Sequence, residues 1–441
     1  MKVFFYCPNK NLPKVLFNEP DKGNPGCGAT EYLQVAIPFF LKKYFSQYIE
    51  VTIVADDIST MPSNLNVLEI SNGLNGAIKV ANDNNSDIFI FKPSQNQEKS
   101  IFDLIDKFKL KTIAIGQLTP NPRCLRYIGN CKFIKAFVCV GLNQYDQLVD
   151  SCIRNKIINI NNAISDNLFE KNMNMPYLQR KDIVFMGALF PQKNFLYLAE
   201  CWRFISKKLP NAYLHVLGSA KTYGIDVKVG KKNLADHKYE ELIFKALNKD
   251  PLSAKKVIFH GNVGDKKYQI ISQSKVGIVN PLGTTETCCV SAVEMQSLGT
   301  PVCTGNYQAL KTTVLNKKSG LLSYTRRSFI NNIVNLYSDE KLFNKLSKGS
   351  IINAKLNFSF SHLIWKWYYL LYITDKGFEV NINQQPSFIQ RKFKIISILR
   401  YINLFLLKNL LSLESYSVSE FIFFMKRLFY NFKKFLKKII S

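Results

Sequence analysis

Asn280–Val302 reads NPLGTTETCCVSAVEMQSLGTPV, and its parts differ sharply in character. The apolar run Val276–Pro281 ends in a Gly/Thr loop, a helix begins near Val290, and the turn Gly299-Thr300 leads into a second apolar run at Pro301. Strand, loop, helix, turn and strand in that order make one β–α–β unit of a parallel sheet. Glu286 falls in the loop and Glu294 on the helix, which places one carboxylate at the helix mouth and the other about one turn inside it. A helix N-terminus carries unpaired N–H groups and is a ready anion site, suited to a pyrophosphate. One carboxylate accepting two hydrogen bonds matches the paired hydroxyls of a ribose, the role that Glu294 is placed to fill. On spacing alone, two surface glutamates on an ordinary β–α unit fit the same pattern.

Working outward, runs of the same kind recur with helical stretches between them. In the first half they are Val3–Cys7, Val51–Asp56, Asp87–Lys92, Thr112–Gly116, Ala136–Gly141 and Ile157–Ile160. In the second half they are Ile183–Gly187, Tyr213–Gly218, Val257–Gly261, Val276–Pro281, Pro301–Gly305 and Gly320–Tyr324. Near-continuous apolar strands spaced by helices mean parallel sheets covered on both faces. Two sets of six imply two doubly wound α/β domains, over residues 1–165 and 166–375. The polar stretch Ser165–Lys181 is the natural hinge, with ligand in the cleft it closes. Gly377–Pro386 reads as a linker, and residues 387–441 as a separate basic tail.

Composition narrows the function. With 441 residues, 47% of them hydrophobic, the chain has ample material for two cores. Its ten cysteines sit within apolar runs, with no C-x-x-C and no zinc-like His/Cys spacing, so buried thiols in a reducing cytosol are expected. The apolar stretch at the N-terminus is too short for a secretory signal, and a cytoplasmic location is expected. The net charge of +27 raises the possibility of a polyanion partner. Aromatics interleaved with basic residues on a sheet are not evident, so no nucleic-acid partner is expected. The excess is uneven: between Arg391 and Lys438, eleven Lys/Arg stand against Glu414 and Glu420. Ser417–Ile440 places Phe421, Met425, Leu428, Phe432, Phe435 and Ile439 at helical spacing. Six basic residues lie mostly around the remaining face. A basic amphipathic helix on an anionic membrane surface fits this tail, as does a helical pair packed on the protein or a partner.

The segment Asn280–Val302 resembles the retaining glycosyltransferases of family 4 (the group 1 type), whose hallmark is a Glu-x7-Glu pair after a Pro-containing strand end. Val184–Asn194, VFMGALFPQKN, resembles that family's Gly-Arg-Leu…Lys-Gly element, and Leu209–Gly218 its following strand and glycine. The resemblance covers roughly residues 1–375 and is most specific from Ile183 to Leu322. It implies a GT-B fold, two Rossmann-like domains facing across a cleft, with Phe358–Ile373 as the helix crossing back to the first. It implies retaining, metal-independent transfer from a nucleoside-diphosphate sugar, a co-substrate with no further cofactor. By the same resemblance Glu286 contacts the donor sugar, Glu294 the ribose and Lys193 the diphosphate. Gly187, Gly218, Thr285, Thr287 and Cys288 fall within the same donor-binding elements. The loop Gly23–Thr30, with Gly26 and Gly28, stands where the family's glycine-rich loop faces the donor. The basic tail alone suggests the acceptor, a glycan or a lipid-linked sugar in surface polysaccharide or lipopolysaccharide assembly, at the inner face of a membrane. Two departures stand out: Ala188 replaces an expected Arg, and none of the four histidines lies in the first domain. Both fit an alternative, a non-catalytic nucleotide-sugar or glycan-binding protein. His215 and His260, on strands, read as structural.

Overall fold

A computed structural model of the chain describes residues 1–380 apart from positions 11, 13, 171–174, 224–227 and 283–285. Beyond 380 it describes only Leu399, Ile402, Asn403, Ser417, Val418, Phe421 and Met425. In the first domain seven parallel strands form one sheet: β1 (Lys2–Cys7), β2 (Glu50–Ala55), β3 (Asn66–Glu69), β4 (Ile88–Phe91), β5 (Thr112–Gly116), β6 (Ile134–Cys139) and β7 (Ile157–Asn159), in the order β3-β2-β1-β4-β5-β6-β7. In the second, six parallel strands follow: β8 (Asp182–Met186), β9 (Leu214–Leu217), β10 (Val257–Gly261), β11 (Ser274–Ile278), β12 (Val302–Gly305) and β13 (Gly320–Ser323), in the order β10-β9-β8-β11-β12-β13.

The six strands expected in each half are all present, and the first sheet has one more. β3 pairs with β2 at the sheet edge, where its Val67 and Leu68 are only partly buried. An edge strand with two apolar residues lacks the continuous apolar run that marked the others.

Each order reverses once, between β1 and β4 in the first sheet and between β8 and β11 in the second. Crevices at such switch points, outside the carboxyl ends of the strands, are where open α/β sheets hold ligands. The loops leaving β1, β8 and β11 are Gly23–Gly28, Gly187–Lys193 and the stretch before Val290, the segments singled out in the sequence.

The chain crosses between domains twice. Ile164 bridges to Ser359, and Asp166 accepts hydrogen bonds from Ser361 N (2.9 Å) and Oγ (2.6 Å). The helix Phe360–Asp375 then returns to the first domain against Ala29–Phe45. Phe40 stacks on Phe360 at 4.1 Å and Phe45 on Tyr368 at 4.3 Å between ring centroids. Such aromatic pairs contribute about 0.5–1.5 kcal/mol each beyond their buried area. A central apolar core runs through both domains, joining Val3 and Ile53 to Val184 and Val279. Separate cores cover the other faces, around Phe89 and Phe137 and around Phe185 and Trp202.

Near the end of the hinge stretch, Arg180 is fully buried. Its guanidinium donates to the carbonyls of Met175, Ser274 and Leu298 and to Thr300 Oγ1, tying the hinge to the second domain. Burial lowers its pKa to about 10, so it stays charged at neutral pH.

Among the described residues no helix is long and apolar enough to cross a membrane. The amphipathic helix expected over 417–440, like most of the tail, lies outside them. Two tail residues are placed on the first domain: Asn403 Nδ2 (3.0 Å) and Val418 N (2.8 Å) donate to Asp150 Oδ2.

Candidate active site

The loop after β11 is held in an unusual backbone path. Asn280 and Leu282 both have positive φ, 37° and 52°, a conformation that side chains with a Cβ adopt only when the surroundings enforce it. The enforcement is visible. Asn194 Nδ2 donates to the carbonyls of Pro281 (2.9 Å) and Leu282 (3.3 Å), and Thr304 Oγ1 to that of Val279 (2.6 Å). The Asn280 side chain then reaches forward, its Nδ2 donating to Glu286 Oε2 at 2.6 Å. Lys193 Nζ meets the same oxygen at 2.8 Å. Glu286 thus has one oxygen fixed by an amide and an ammonium, with little solvent exposure.

Glu294 lies on the helix Val290–Ser297, whose N-cap residue, Cys289, makes no side-chain capping bond. Its Oε1 accepts from Lys267 Nζ at 2.8 Å and lies 3.2 Å from the Tyr268 hydroxyl. The Lys267–Glu294 pair is almost wholly buried. Burial, with the Glu294 charge beside it, pushes the Tyr268 phenol well above its usual pKa, so it remains a donor. Tyr268 also approaches the Asn24 carbonyl of the facing domain at 3.4 Å.

The glycine-rich loop closes this corner. Asn24 Oδ1 accepts from the N–H groups of Gly26 (2.8 Å) and Cys27 (3.0 Å), folding the loop on itself. Gly26 has φ +106°, and a Cβ there would lie 3.0 Å from Gly264 Cα of the second domain. On the opposite wall Gly218, at φ +116°, is pressed against the Gly187 carbonyl, where any side chain would collide. Glycine is required at both places by conformation and by space.

Two adjoining cavities result. The first, of about 710 Å³, is lined by Gly26, Gly28, Gly187, Gly218, Lys193, Lys267 and Glu294. The second, of about 1640 Å³, is lined by Glu286, Thr287 and Cys288 from the second domain and by first-domain residues that include Glu31, Lys92 and Gln117. Lys193 and the helix start at Val290 and Ser291 border both. Thr287 and Cys288 face the first domain: Thr287 Oγ1 donates to the Gln117 carbonyl at 2.8 Å, and Gly141 leaves room for the Thr287 carbonyl. Thr285 lies outside the described residues. Ala188 is buried and borders the first cavity. Lys267, which the sequence reading did not single out, brings a second ammonium there; no motif marks it, and only the packing of the helix Lys266–Ser272 reveals it.

The other sequence features fall elsewhere. Gln117 stands after β5, its amide locked to that of Asn162 by two hydrogen bonds of 2.9 and 3.0 Å. None of the four histidines lines either cavity. His215 Nδ1 lies 2.9 Å from His260 Nε2, and its Nε2 lies 3.2 Å from Asp182 Oδ2. All ten cysteines are free thiols. Among the described residues no cluster of metal-ligating side chains occurs.

Comparison with known proteins agrees with this geometry. Residues 168–351 match the family model described as glycosyl transferases group 1. In sequence, no curated protein matches the chain. In structure, the chain is similar to sucrose-phosphate synthase from Thermosynechococcus elongatus, with TM-score 0.63 and 11% identity over 86% of this chain and 100% of that one. It is similar to a glycosyltransferase from Rickettsia africae, with TM-score 0.64 and 13% identity over 85% and 99% of the two chains. Anabaena HepE, solved with UDP and glucose, superposes with TM-score 0.59 and 13% identity over 84% and 99%. The protein therefore has the GT-B fold, and its residues 168–351 are similar to the group 1 glycosyl transferases.

Proposed function

We propose that the protein transfers a sugar, with retention, from a nucleoside-diphosphate sugar to a glycan or lipid-linked acceptor. The observation that carries this reading is the joint placement of Glu286, Lys193, Lys267 and Glu294 around one helix N-terminus at the switch point of the second sheet. The diphosphate sits at the start of Val290–Ser297, where the helix dipole favours an anion even though the Val290, Ala292 and Val293 N–H groups already bond the Cys288 and Cys289 carbonyls. Lys193 and Lys267 offset the charge that grows on the departing nucleoside diphosphate, so the transfer needs no metal ion to do so. Lys267 takes over the cationic role left open by Ala188. Glu294 Oε2 accepts from the ribose hydroxyls while Oε1 stays on Lys267. Glu286, held by Asn280 and Lys193, stands at the donor sugar, where a carboxylate stabilises positive charge developing at the anomeric carbon.

The basic composition of residues 391–438 supports peripheral contact with an anionic membrane, and hence a role in surface polysaccharide or lipopolysaccharide assembly at the cytoplasmic face. A second reading, a binding protein without turnover, draws on Ala188 and on the lack of a histidine in the lining of either cavity.

Thermal stabilisation of the full chain by UDP, GDP, ADP and their sugars tests the reading. A ligand at 100-fold over its dissociation constant adds about 2.7 kcal/mol. The expected result is a selective shift that weakens at least tenfold in affinity for Glu294→Gln, with measurable release of nucleoside diphosphate from the matching sugar nucleotide. Binding without any turnover favours the second reading, and no binding by any nucleotide overturns the transferase reading and leaves a glycan-binding protein.

A further inference from the structure

Tyr268 belongs to the second domain, on the helix Lys266–Ser272, yet its ring ends against the first. The residue is almost wholly buried, and its hydroxyl lies within reach of two acceptors, Glu294 Oε1 at 3.2 Å and the Asn24 carbonyl at 3.4 Å. Gly23 leaves the path across the domains open, because a Cβ there would collide with the Tyr268 oxygen. The Lys267 ammonium, itself bonded to Glu294 Oε1, stands 4.9 Å from the centre of the same ring.

The two acceptors belong to different machinery. Glu294 lines the smaller cavity from the second domain. Asn24 is the hub of the glycine-rich loop of the first. Its Oδ1 accepts from the N–H groups of Gly26 and Cys27, and its Nδ2 donates to the Cys27 carbonyl at 3.0 Å. Whatever holds Asn24 therefore holds Gly26 and Gly28, which line that cavity from the opposite side. A phenol carries one hydrogen, so it can satisfy only one of these two acceptors at a time. Burial and the neighbouring Glu294 charge keep that hydrogen in place. In this structure the carboxylate is nearer and, being charged, the stronger acceptor, so the hydrogen goes to Glu294. Ribose hydroxyls donating to Glu294 compete for its charge, which weakens its hold on the phenol and favours donation to Asn24 instead.

Resting on the proposed donor reading, we infer that Tyr268 is a positioning residue that couples the ribose at Glu294 to the seating of the first-domain glycine loop. That reading gives Glu294 to the ribose and says nothing of how the facing domain responds. The coupling is reciprocal: the factor by which the ribose tightens the loop is the factor by which the tightened loop raises nucleotide affinity. A nucleotide without the two ribose hydroxyls leaves the hydrogen on Glu294 and the loop held less firmly.

The test is hydrogen exchange of the full chain, read by mass spectrometry on peptides covering Gly23–Thr30. It is run with UDP, GDP or ADP, whichever binds, and with the 2′,3′-dideoxy form of the same nucleotide, each at saturation. Both forms carry the same diphosphate, so direct contact between phosphate and loop is common to the two. The ordinary nucleotide is expected to slow exchange about fivefold more than the dideoxy form, the lower end of coupling between sites. In Tyr268→Phe, which keeps the ring and removes the hydrogen, that difference is expected to fall below twofold. Calorimetry is expected to show the ordinary nucleotide weakened at least threefold in this variant and the dideoxy form unchanged within twofold. A difference below twofold in the unaltered chain, or an undiminished one in Tyr268→Phe, overturns the inference and leaves the donor reading standing. A variant that melts at lower temperature but keeps the difference makes Tyr268 structural only. If Tyr268→Phe does not fold, the two nucleotides on the unaltered chain still decide. Failure of all three nucleotides to bind the unaltered chain removes the donor reading, and this inference with it.

Discussion

The second-domain wall of the cleft presents its charges as ion pairs, Lys193 with Glu286 and Lys267 with Glu294, whereas the first-domain wall presents mostly neutral amides and one carboxyl with an unpartnered oxygen. The two walls are shaped before any ligand arrives, in different ways. On the second domain, charge is held in place by charge, so a leaving diphosphate meets cations that need little reorganisation. On the first, amides such as Gln117 and Asn162 lock one another, which fixes shape without fixing sign. On the proposed function, the strongly charged donor belongs to the second-domain wall.

Breaking the deepest ion pair gives the largest expected effect. Glu294→Ala leaves the Lys267 ammonium buried without its carboxylate, and loss of one partner of such a pair costs about 3–5 kcal/mol. Urea unfolding reads that loss directly. The double variant Glu294→Leu with Lys267→Met is expected to regain most of the stability and none of the nucleotide affinity. If it regained affinity as well, the pair would be structural only.

Next in size is Glu286→Gln, which keeps a hydrogen-bonding side chain beside Asn280 and removes the charge facing the donor sugar. Turnover of the matching sugar nucleotide is expected to fall about 100- to 1000-fold, the scale seen when one transition-state electrostatic contact is removed. Nucleoside diphosphate affinity should change little, because Glu286 lies outside the smaller cavity. Equal losses in both would place Glu286 in ground-state binding instead.

Thr287→Val sharpens the comparison where the walls meet. It removes the hydroxyl that bonds the Gln117 carbonyl across the cleft, for an expected loss of about 0.5–1.5 kcal/mol in thermal or chemical unfolding. An unchanged midpoint would show that this contact adds nothing to domain closure.

The smallest effect concerns pH. Burial raises the Glu31 pKa in the folded state, so the unfolded chain gives up its proton first, near pH 4.3 for an ordinary glutamate. Stability contributed by this group is therefore present below that value and is lost as pH rises through the folded pKa. Glu31→Gln is expected to flatten that segment of the stability profile and to raise the midpoint slightly at pH 7. A profile identical to that of the unaltered protein would mean that Glu31 is not buried as described.

The legibility of the fold followed the continuity of its apolar runs. Ile183–Gly187 and Thr112–Gly116 announced themselves because strands buried on both faces must be apolar throughout. Asn66–Glu69 did not, because an edge strand needs only two apolar residues to pair. In the site, Glu286 and Glu294 stood out by their local spacing relative to a strand end and a helix start, and Lys193 only through the family resemblance. Lys267, Tyr268 and Glu31 were not. Lys267 looks like any lysine on a short basic stretch, and Glu31 like any acidic residue opening a helix.

Periodicity, loop chemistry and the Glu-x7-Glu spacing by themselves determined two doubly wound domains and a helix N-terminus flanked by carboxylates, since each depends on neighbours within a few turns of chain. Only the tertiary structure decided which charges meet. Lys193 and Glu286 are 93 positions apart and Lys267 and Glu294 are 27, and strand order alone brings them within reach. Whether a carboxyl such as that of Glu31 is paired or left without a donor depends on burial from every side, which no local pattern encodes.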